Sequence, residues 1–242
     1  MNNALEIAIF PCLNDNYGLL IHDSKSGETA SIDTPEVKAI EAACAARDWT
    51  LTQIWNTHHH WDHVGGNLEL KAAHSARITG PKQEDRIPGL DRGVRGGDRF
   101  KFGQHEVQVI FTPGHTRDHI IYYVADAGAA FVGDTLFVLG CGRLFEGSAQ
   151  DMFDSMAAIA ALPDDTKLYC AHEYTLSNAH FAITVDPENQ DLIDYIKLAQ
   201  ALREDDIPTV PTTVAQEKKT NPFMRAKTAQ QLGEIRAAKD VF

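Results

Sequence analysis

The chain has 242 residues and the composition of an ordinary globular protein, so one large domain with an appendage, or two domains, is expected. A net charge of −12 with no basic block argues against nucleic acid or an anionic membrane as the main partner, and no apolar run approaches the roughly 20 residues that cross a bilayer. Cys12, Cys44, Cys141 and Cys170 are too few and too scattered for a disulfide scaffold, and form no Cys-x-x-Cys pair; they read as reduced thiols of a cytoplasmic protein. The start, Met1 to Glu6, has no basic region, so no targeting segment is expected.

Short strands are predicted over 5–10, 18–22 and 29–33, with turns at Asn14-Asp15-Asn16 and from Ser24 to Gly27. Pro35 suits the first turn of a helix running to about Arg47. A strand from Leu51 to Asn56 delivers a run of histidines. A helix beginning near Gly65-Gly66-Asn67 and ending near His74 follows, then a strand over 77–80. The charged, glycine-rich segment from Lys82 to Gly97 reads as a loop. Strands over 106–112, 119–124 and 130–133, a helix over 151–162 and a strand over 167–170 complete a second strand-then-helix series. Two such series predict an α/β sandwich with sheets inside and helices outside. From about Tyr174 strand signals vanish. Helical periodicity covers 177–184, 187–204 and 228–239, with an extended Pro/Thr/Val connection at 207–214.

The histidine run is Thr57-His58-His59-His60-Trp61-Asp62-His63. A regular helix would place His58 and Asp62 on one face but send His60 away. A regular strand would align His58, His60 and Asp62 but turn His63 away. All four converge only where the chain bends as it leaves the strand, and Gly65 and Gly66 suit that bend. Three more donors follow, each near the end of an apolar strand: His115 in Thr-Pro-Gly-His-Thr, Asp134 in Phe-Val-Gly-Asp-Thr and His172 in Cys-Ala-His-Glu-Tyr. Imidazole and carboxylate are donors that zinc, iron and manganese accept. Any one of the three later residues alone would be ambiguous; their joint order is not.

At these residues the chain resembles the metallo-β-lactamase superfamily, whose signature is His-x-His-x-Asp-His. Within it the resemblance is closest to glyoxalase II, the hydroxyacylglutathione hydrolases. Thr57 to Gly66, Thr112 to Thr116, Gly133 to Gly147 and Ala171 to Tyr174 carry it. Asn221-Pro222-Phe223-Met224-Arg225 looks like that family's C-terminal glutathione-binding segment, and the ending from Arg236 to Phe242 looks like the family's ending.

The resemblance implies a metallo-β-lactamase αββα sandwich over 1–174 as catalytic domain, and a small helical glutathione-binding domain over 175–242. It implies two divalent metal ions per chain, zinc first, with iron or manganese accepted by the same donors. One ion would be held by His58, His60, His115 and Asp134, the other by Asp62, His63, His172 and the same Asp134. The implied reaction is hydrolysis of S-D-lactoylglutathione to D-lactate and glutathione by a metal-bridging hydroxide, the second step of methylglyoxal detoxification. Arg143, Phe145, Tyr174, Arg225 and Lys227 are the implied substrate contacts; some members of the family carry Tyr where Phe145 stands. Asp33 is placed to hydrogen-bond a ligand imidazole, or to serve as a turn carboxylate before Pro35. His22, His74, His105, His119 and His180 have no ligand spacing and read as surface or packing residues, and Cys141 as packing rather than a nucleophile. The expected partner is a small glutathione thioester, with no nucleic acid or membrane, and the chain is expected to act as a monomer. The alternatives are a glutathione persulfide dioxygenase using one iron, another hydrolase of the superfamily, and a non-catalytic metal-binding descendant.

Overall fold

A computed structural model describes residues 5–82 and 86–242; Met1 to Ala4, and Gln83 to Asp85 within the expected loop, lie outside the described residues. By internal packing the chain forms two units: residues up to 111 together with 120–131, and residues 112–119 together with 132–242.

The first unit opens with β1 (Leu5–Cys12), β2 (Asn16–Asp23) and β3 (Glu28–Ile32), an antiparallel meander in which Leu5 pairs with Asp23 and Leu19 with Ile32. After α1 (Val37–Ala45) the chain returns as β4 (Gln53–Trp55), parallel to β3. The four-residue α2 (Trp61–Val64) and then α3 (Asn67–His74) lead to β5 (Arg77–Pro81), parallel to β4, and β6 (Arg92–Val94) closes the six-stranded sheet in the order β1-β2-β3-β4-β5-β6. β6 falls within the stretch expected to be loop. Its three residues carry no alternating pattern, and its pairing with β5 is what makes it a strand.

The same unit holds β7 (Arg99–Phe102), β8 (His105–Phe111), β9 (Ile120–Val124) and the start of β10 (Ala129–Gly133), antiparallel neighbour to neighbour. Alternation along β4 shows how its layers form. Ile54 joins Leu20, Ile40, Leu51, Leu70 and Ile78 in a core that α1 and α3 cover. Trp55 points to the other face, where Phe100, Phe102 and Tyr122 surround it at ring distances of 5.1–5.5 Å. One face of the first sheet therefore packs helices and the other packs strands, a helix–sheet–sheet stack inside one unit.

The second unit begins its second segment at Val132, in the last residues of β10. It adds the two-stranded β11 (Leu136–Phe137) and β12 (Gly140–Cys141), then α4 (Ala149–Ala160) and β13 (Lys167–Cys170). Ser148 and Asp151 form a reciprocal capping box at the start of α4. The helical section contains α5 (Thr175–Val185), α6 (Gln190–Glu204), β14 (Thr212–Thr213), α7 (Val214–Thr220) and α8 (Ala229–Asp240). β14 and α7 replace the purely extended connection expected at 207–214 and the gap after it. Lys167 and Leu168 of β13 recruit Thr213 and Thr212 as ladder partners, and Thr213 caps α7 by accepting from Gln216 N–H.

Glu217 ties this section together. Fully buried, it accepts from Leu139 N–H (3.0 Å), the Thr212 hydroxyl (2.7 Å) and Asn221 Nδ2 (2.9 Å). Asn221 Nδ2 also donates to Gly140 O (2.9 Å). Asn221 and Phe223, in the expected glutathione-binding segment, are both buried completely, and Asn221 Nδ2 holds the β11–β12 turn through Phe137 O and Gly140 O.

Candidate metal centre

Four donors lie on the first unit. β4 ends at Trp55, the chain bends at Thr57 and His58, and extended His60 (φ −61°, ψ 148°) leads into the helical turn of α2. The bend therefore comes as the chain leaves the strand, and Asp62 and His63 ride on α2. Gly65 and Gly66 do not make it; both have helical φ, −59° and −86°. Gly66 is bare for a different reason: a Cβ there would meet Thr34 O and Val37 Cγ2 at 3.0 Å.

His58 Nε2 and His60 Nδ1 lie 3.0 Å apart, and His63 Nε2 lies 3.4 Å from Asp62 Oδ2. The opposite edges of two of these rings are occupied. His63 Nδ1 donates to Asp33 Oδ2 (2.8 Å) and His58 Nδ1 faces Thr57 Oγ1 (3.1 Å), whose hydroxyl in turn donates to Asp33 Oδ2 (2.8 Å). Asp33 also accepts from Thr57 N–H (2.8 Å). It sits at φ +59° directly after β3, a conformation that Asp tolerates better than most residues. Of its two expected roles, the structure shows the hydrogen bond to an imidazole, that of His63. Asn16 Nδ2 donates to Asp62 Oδ2 at 3.0 Å.

Three donors lie on the second unit. His115 Nε2 is 3.4 Å from Asp134 Oδ2, and His172 Nε2 is 3.6 Å from Asp134 Oδ1, so one carboxylate offers a different oxygen to each imidazole. His115 Nδ1 donates to the backbone carbonyl of Arg143 (2.9 Å). Gly142 explains the Gly-Cys-Gly-Arg stretch. A Cβ on it would stand 2.2 Å from Asp134 O and 2.8 Å from His115 Nδ1, so only glycine lets these segments meet. His172 stacks on Tyr174 with ring centroids 4.7 Å apart and planes 9° apart, and Phe137 packs edge-on against it.

These spacings suit metal ligands. Two nitrogens on one tetrahedral zinc, at about 2.05 Å each, stand roughly 3.3 Å apart. Distances of 3.4–3.6 Å are long for a hydrogen bond. In His58, His63 and His115 the remote nitrogen is held as a donor, which leaves the other nitrogen's lone pair for a cation and fixes the ring's orientation. The described residues include His/Asp groups able to bind metal.

The other expected contacts differ in placement. Phe145 is exposed and packs edge-on against His115 at 5.3 Å. Arg143 extends into solvent, with its Nε 4.0 Å from Asp240. Arg225 is engaged by Asp186 (3.1 Å), and Lys227 is exposed, its N–H donating to Gln231. Two residues of α8 that sequence reading left without a role share the neighbourhood of Arg143. Arg236 bonds Asp240 (3.0 Å), and Lys239 Nζ donates to Asn178. Burial, then the nearby Arg236 charge, lowers Lys239 to about 8. Burial pushes the Cys141 thiol up to about 11, which leaves it a packing residue and no nucleophile.

His119 requires a correction. It is neither a surface residue nor simple packing. It is fully buried, and its Nε2 accepts from Asp134 N–H at 3.1 Å. A histidine heading an otherwise apolar strand was the available signal, because such residues are seldom fully buried without a polar task.

Residues 33–172 match the family model described as metallo-beta-lactamase superfamily, and residues 173–242 the one described as hydroxyacylglutathione hydrolase C-terminus. The chain belongs to the hydroxyacylglutathione hydrolase family. Relatives named hydroxyacylglutathione hydrolase include one from Maricaulis maris, 52% identical over 91% of this chain and 87% of that protein. Another, from Hyphomonas neptunium, is 48% identical over the whole of both chains, and one from Brucella anthropi is 52% identical over 98% and 97%. Among solved structures, ETHE1 from Myxococcus xanthus superposes with a TM-score of 0.73 at 27% identity, covering 96% of this chain and 90% of its own. The BLEG-1 B3 metallo-beta-lactamase superposes with a TM-score of 0.69 at 19% identity, covering 91% and 100%. The fold is that of the metallo-β-lactamases with an added C-terminal helical region. Among the described residues no helix is long and apolar enough to cross a membrane.

Proposed function

We propose that this family member hydrolyses S-D-lactoylglutathione and related 2-hydroxyacyl thioesters to the 2-hydroxy acid and glutathione. The observation that carries the reading is the unbroken succession of the superfamily match over 33–172 and the hydroxyacylglutathione hydrolase C-terminal match over 173–242. We assign the chemistry to residues 1–174, which also contribute Arg143, Phe145 and Tyr174 to recognition, and the rest of glutathione recognition to the helical domain 175–242.

His58, His60, His115 and Asp134 would hold one divalent ion, and Asp62, His63, His172 and Asp134 the other, with zinc as first choice. When bound, such a pair lowers the pKa of water and polarises a thioester carbonyl. Asp33 and the Arg143 carbonyl keep His63 and His115 in the tautomer that presents Nε2. The two oxygens of Asp134 each approach a different imidazole, the arrangement a shared carboxylate requires. A thiol of pKa about 8.5 leaves as thiolate without a strong proton donor, so no general acid is assigned.

Glutathione carries two carboxylates, and an acidic protein must supply cations locally. Arg143, Arg236 and Lys239 offer three cations around the single Asp240, which leaves net positive charge for a carboxylate. Tyr174 and Phe145 add ring surface beside His172 and His115. Arg225 and Lys227 stand further down the recognition order, since Asp186 already neutralises Arg225. We place it in the cytoplasm, whose reducing conditions suit four buried cysteines without disulfides, and propose that it acts as a monomer.

The test is direct. Purified protein loaded with zinc, mixed with S-D-lactoylglutathione, should release thiol, and a chelator should stop it. Absence of metal-dependent thiol release, or oxygen consumption with glutathione persulfide on one iron per chain, would overturn the reading in favour of the oxygenase alternative.

A further inference from the structure

Asp134 directly follows Gly133, the last residue of β10, which turns to φ +49°. The Asp134 N–H therefore leaves the strand ladder inside a dry interior, where a donor needs an acceptor. The acceptor is a side chain, His119 Nε2, at 3.1 Å. To accept there, the imidazole must carry its proton on Nδ1, which faces Thr135 Oγ1 (3.0 Å) and Thr112 Oγ1 (3.2 Å). Those two hydroxyls bond each other at 2.9 Å. With both nitrogens engaged in this way, His119 has no lone pair to offer a metal.

The main chain of the same residue does a second job. His119 C=O accepts from Thr112 N–H (2.9 Å) and closes the loop 112–119, whose tip Gly114 N–H to Thr116 O bond (3.0 Å) frames His115. One residue thus closes the loop that carries His115 and grips the backbone that carries Asp134. We propose that His119 is a positioning residue that sets Asp134 against His115 before any metal arrives. The inference rests on reading Asp134 and His115 as ligands, and says what keeps them in register.

Imidazole Nε2 is matched in reach by the terminal amide oxygen of Gln, and the Nδ1–H donor by the side-chain NH2 of Asn. His119→Gln therefore preserves the acceptor for Asp134 N–H, while His119→Asn preserves only the partner for the threonines. Full-length wild type and both variants would be loaded with zinc and dialysed against chelators of graded strength. Retained zinc per chain is then measured alongside the melting temperature of the stripped proteins. His119→Asn should lose affinity by about 10- to 100-fold, the usual cost of removing a group that orients a ligand, while His119→Gln stays within a few-fold of wild type. A merely structural role would lower the melting temperatures without separating the two variants in zinc retention. Equal retention by Asn, Gln and wild type, or an equal fall in both variants, overturns this inference alone. Wild type that holds no zinc overturns the ligand reading, and this inference with it.

Discussion

The two units solve one problem, orienting imidazoles, by different means. On the first, four donors come from six consecutive residues, and a single buried carboxylate, Asp33, organises them through Thr57 and His63. On the second, three donors come from three separate segments, and contacts that are mostly backbone hold them: the Arg143 carbonyl, the bare face of Gly142 and the His119 ring on Asp134 N–H. A contiguous motif needs one anchor because covalent geometry does the rest. A dispersed set needs an anchor for each segment, and those anchors are silent in a motif search.

Removing the shared ligand should give the largest effect. Asp134→Ala is expected to lower thioester hydrolysis on the order of 10³-fold, several kcal/mol of lost charge stabilisation, with zinc content falling in parallel by elemental analysis. Unchanged zinc content would break the ligand map for the second unit.

The anchors come next, and they sharpen the contrast directly. Asp33→Asn should weaken metal retention by about 10- to 100-fold, because Thr57 and His63 lose their common acceptor. Gly142→Ala should act on the dispersed set alone. Its new methyl group collides with Asp134 O and His115, at a cost of about 1–3 kcal/mol in unfolding stability together with weaker zinc retention. Retention as in wild type in a stable Gly142→Ala protein would show that the close approach is incidental.

A smaller effect concerns pH. Burial, opposed by the hydrogen bonds from Thr212, Asn221 and Leu139 N–H, pushes Glu217 from 4.5 up to about 7. A folded-state value above the unfolded one means that its stabilisation is complete below about pH 4.5 and lost as pH rises through 7. Glu217→Gln copies the protonated form, with its amide donating to the Thr212 hydroxyl. Its stability relative to wild type should therefore rise between pH 5 and pH 8 by up to ~3 kcal/mol in denaturant titrations. A flat difference would mean that Glu217 titrates normally.

The smallest effect separates two arginines. Arg143→Ala should raise KM for glutathione thioesters about 10-fold, the worth of one charge-assisted hydrogen bond, with little change for small acyl thioesters. Arg225→Ala should change KM by only a few-fold, since its guanidinium is already bound to Asp186. The reverse ranking would return recognition to the 221–227 segment.

Much of this was readable in the residue order. That the chain holds His/Asp groups able to bind metal was, because metal binding demands His and Asp in recognisable company, and so were the long strands and helices, because their apolar periodicity is strong. β6, β14 and α7 were not. Each is short: β6 and β14 exist because a neighbouring strand supplies ladder partners, and α7 rests on a local Thr213-x-x-Gln216 cap too brief to stand out from an extended Pro/Thr/Val stretch. Within the segment expected to bind glutathione, Asn221 is buried and its Nδ2 donates to Phe137 O and Gly140 O, a bracing contact to the β11–β12 turn that no motif announces.

What the sequence by itself determined is the chemistry on offer: donor types, their order, the superfamily and the helical ending. Tertiary structure alone decided which atoms of the candidate donors are presented. Asp33 and the Arg143 carbonyl occupy the far edges of the His63 and His115 rings and His119 grips the Asp134 N–H, and these partners lie between 15 and 30 residues away from the residues they hold.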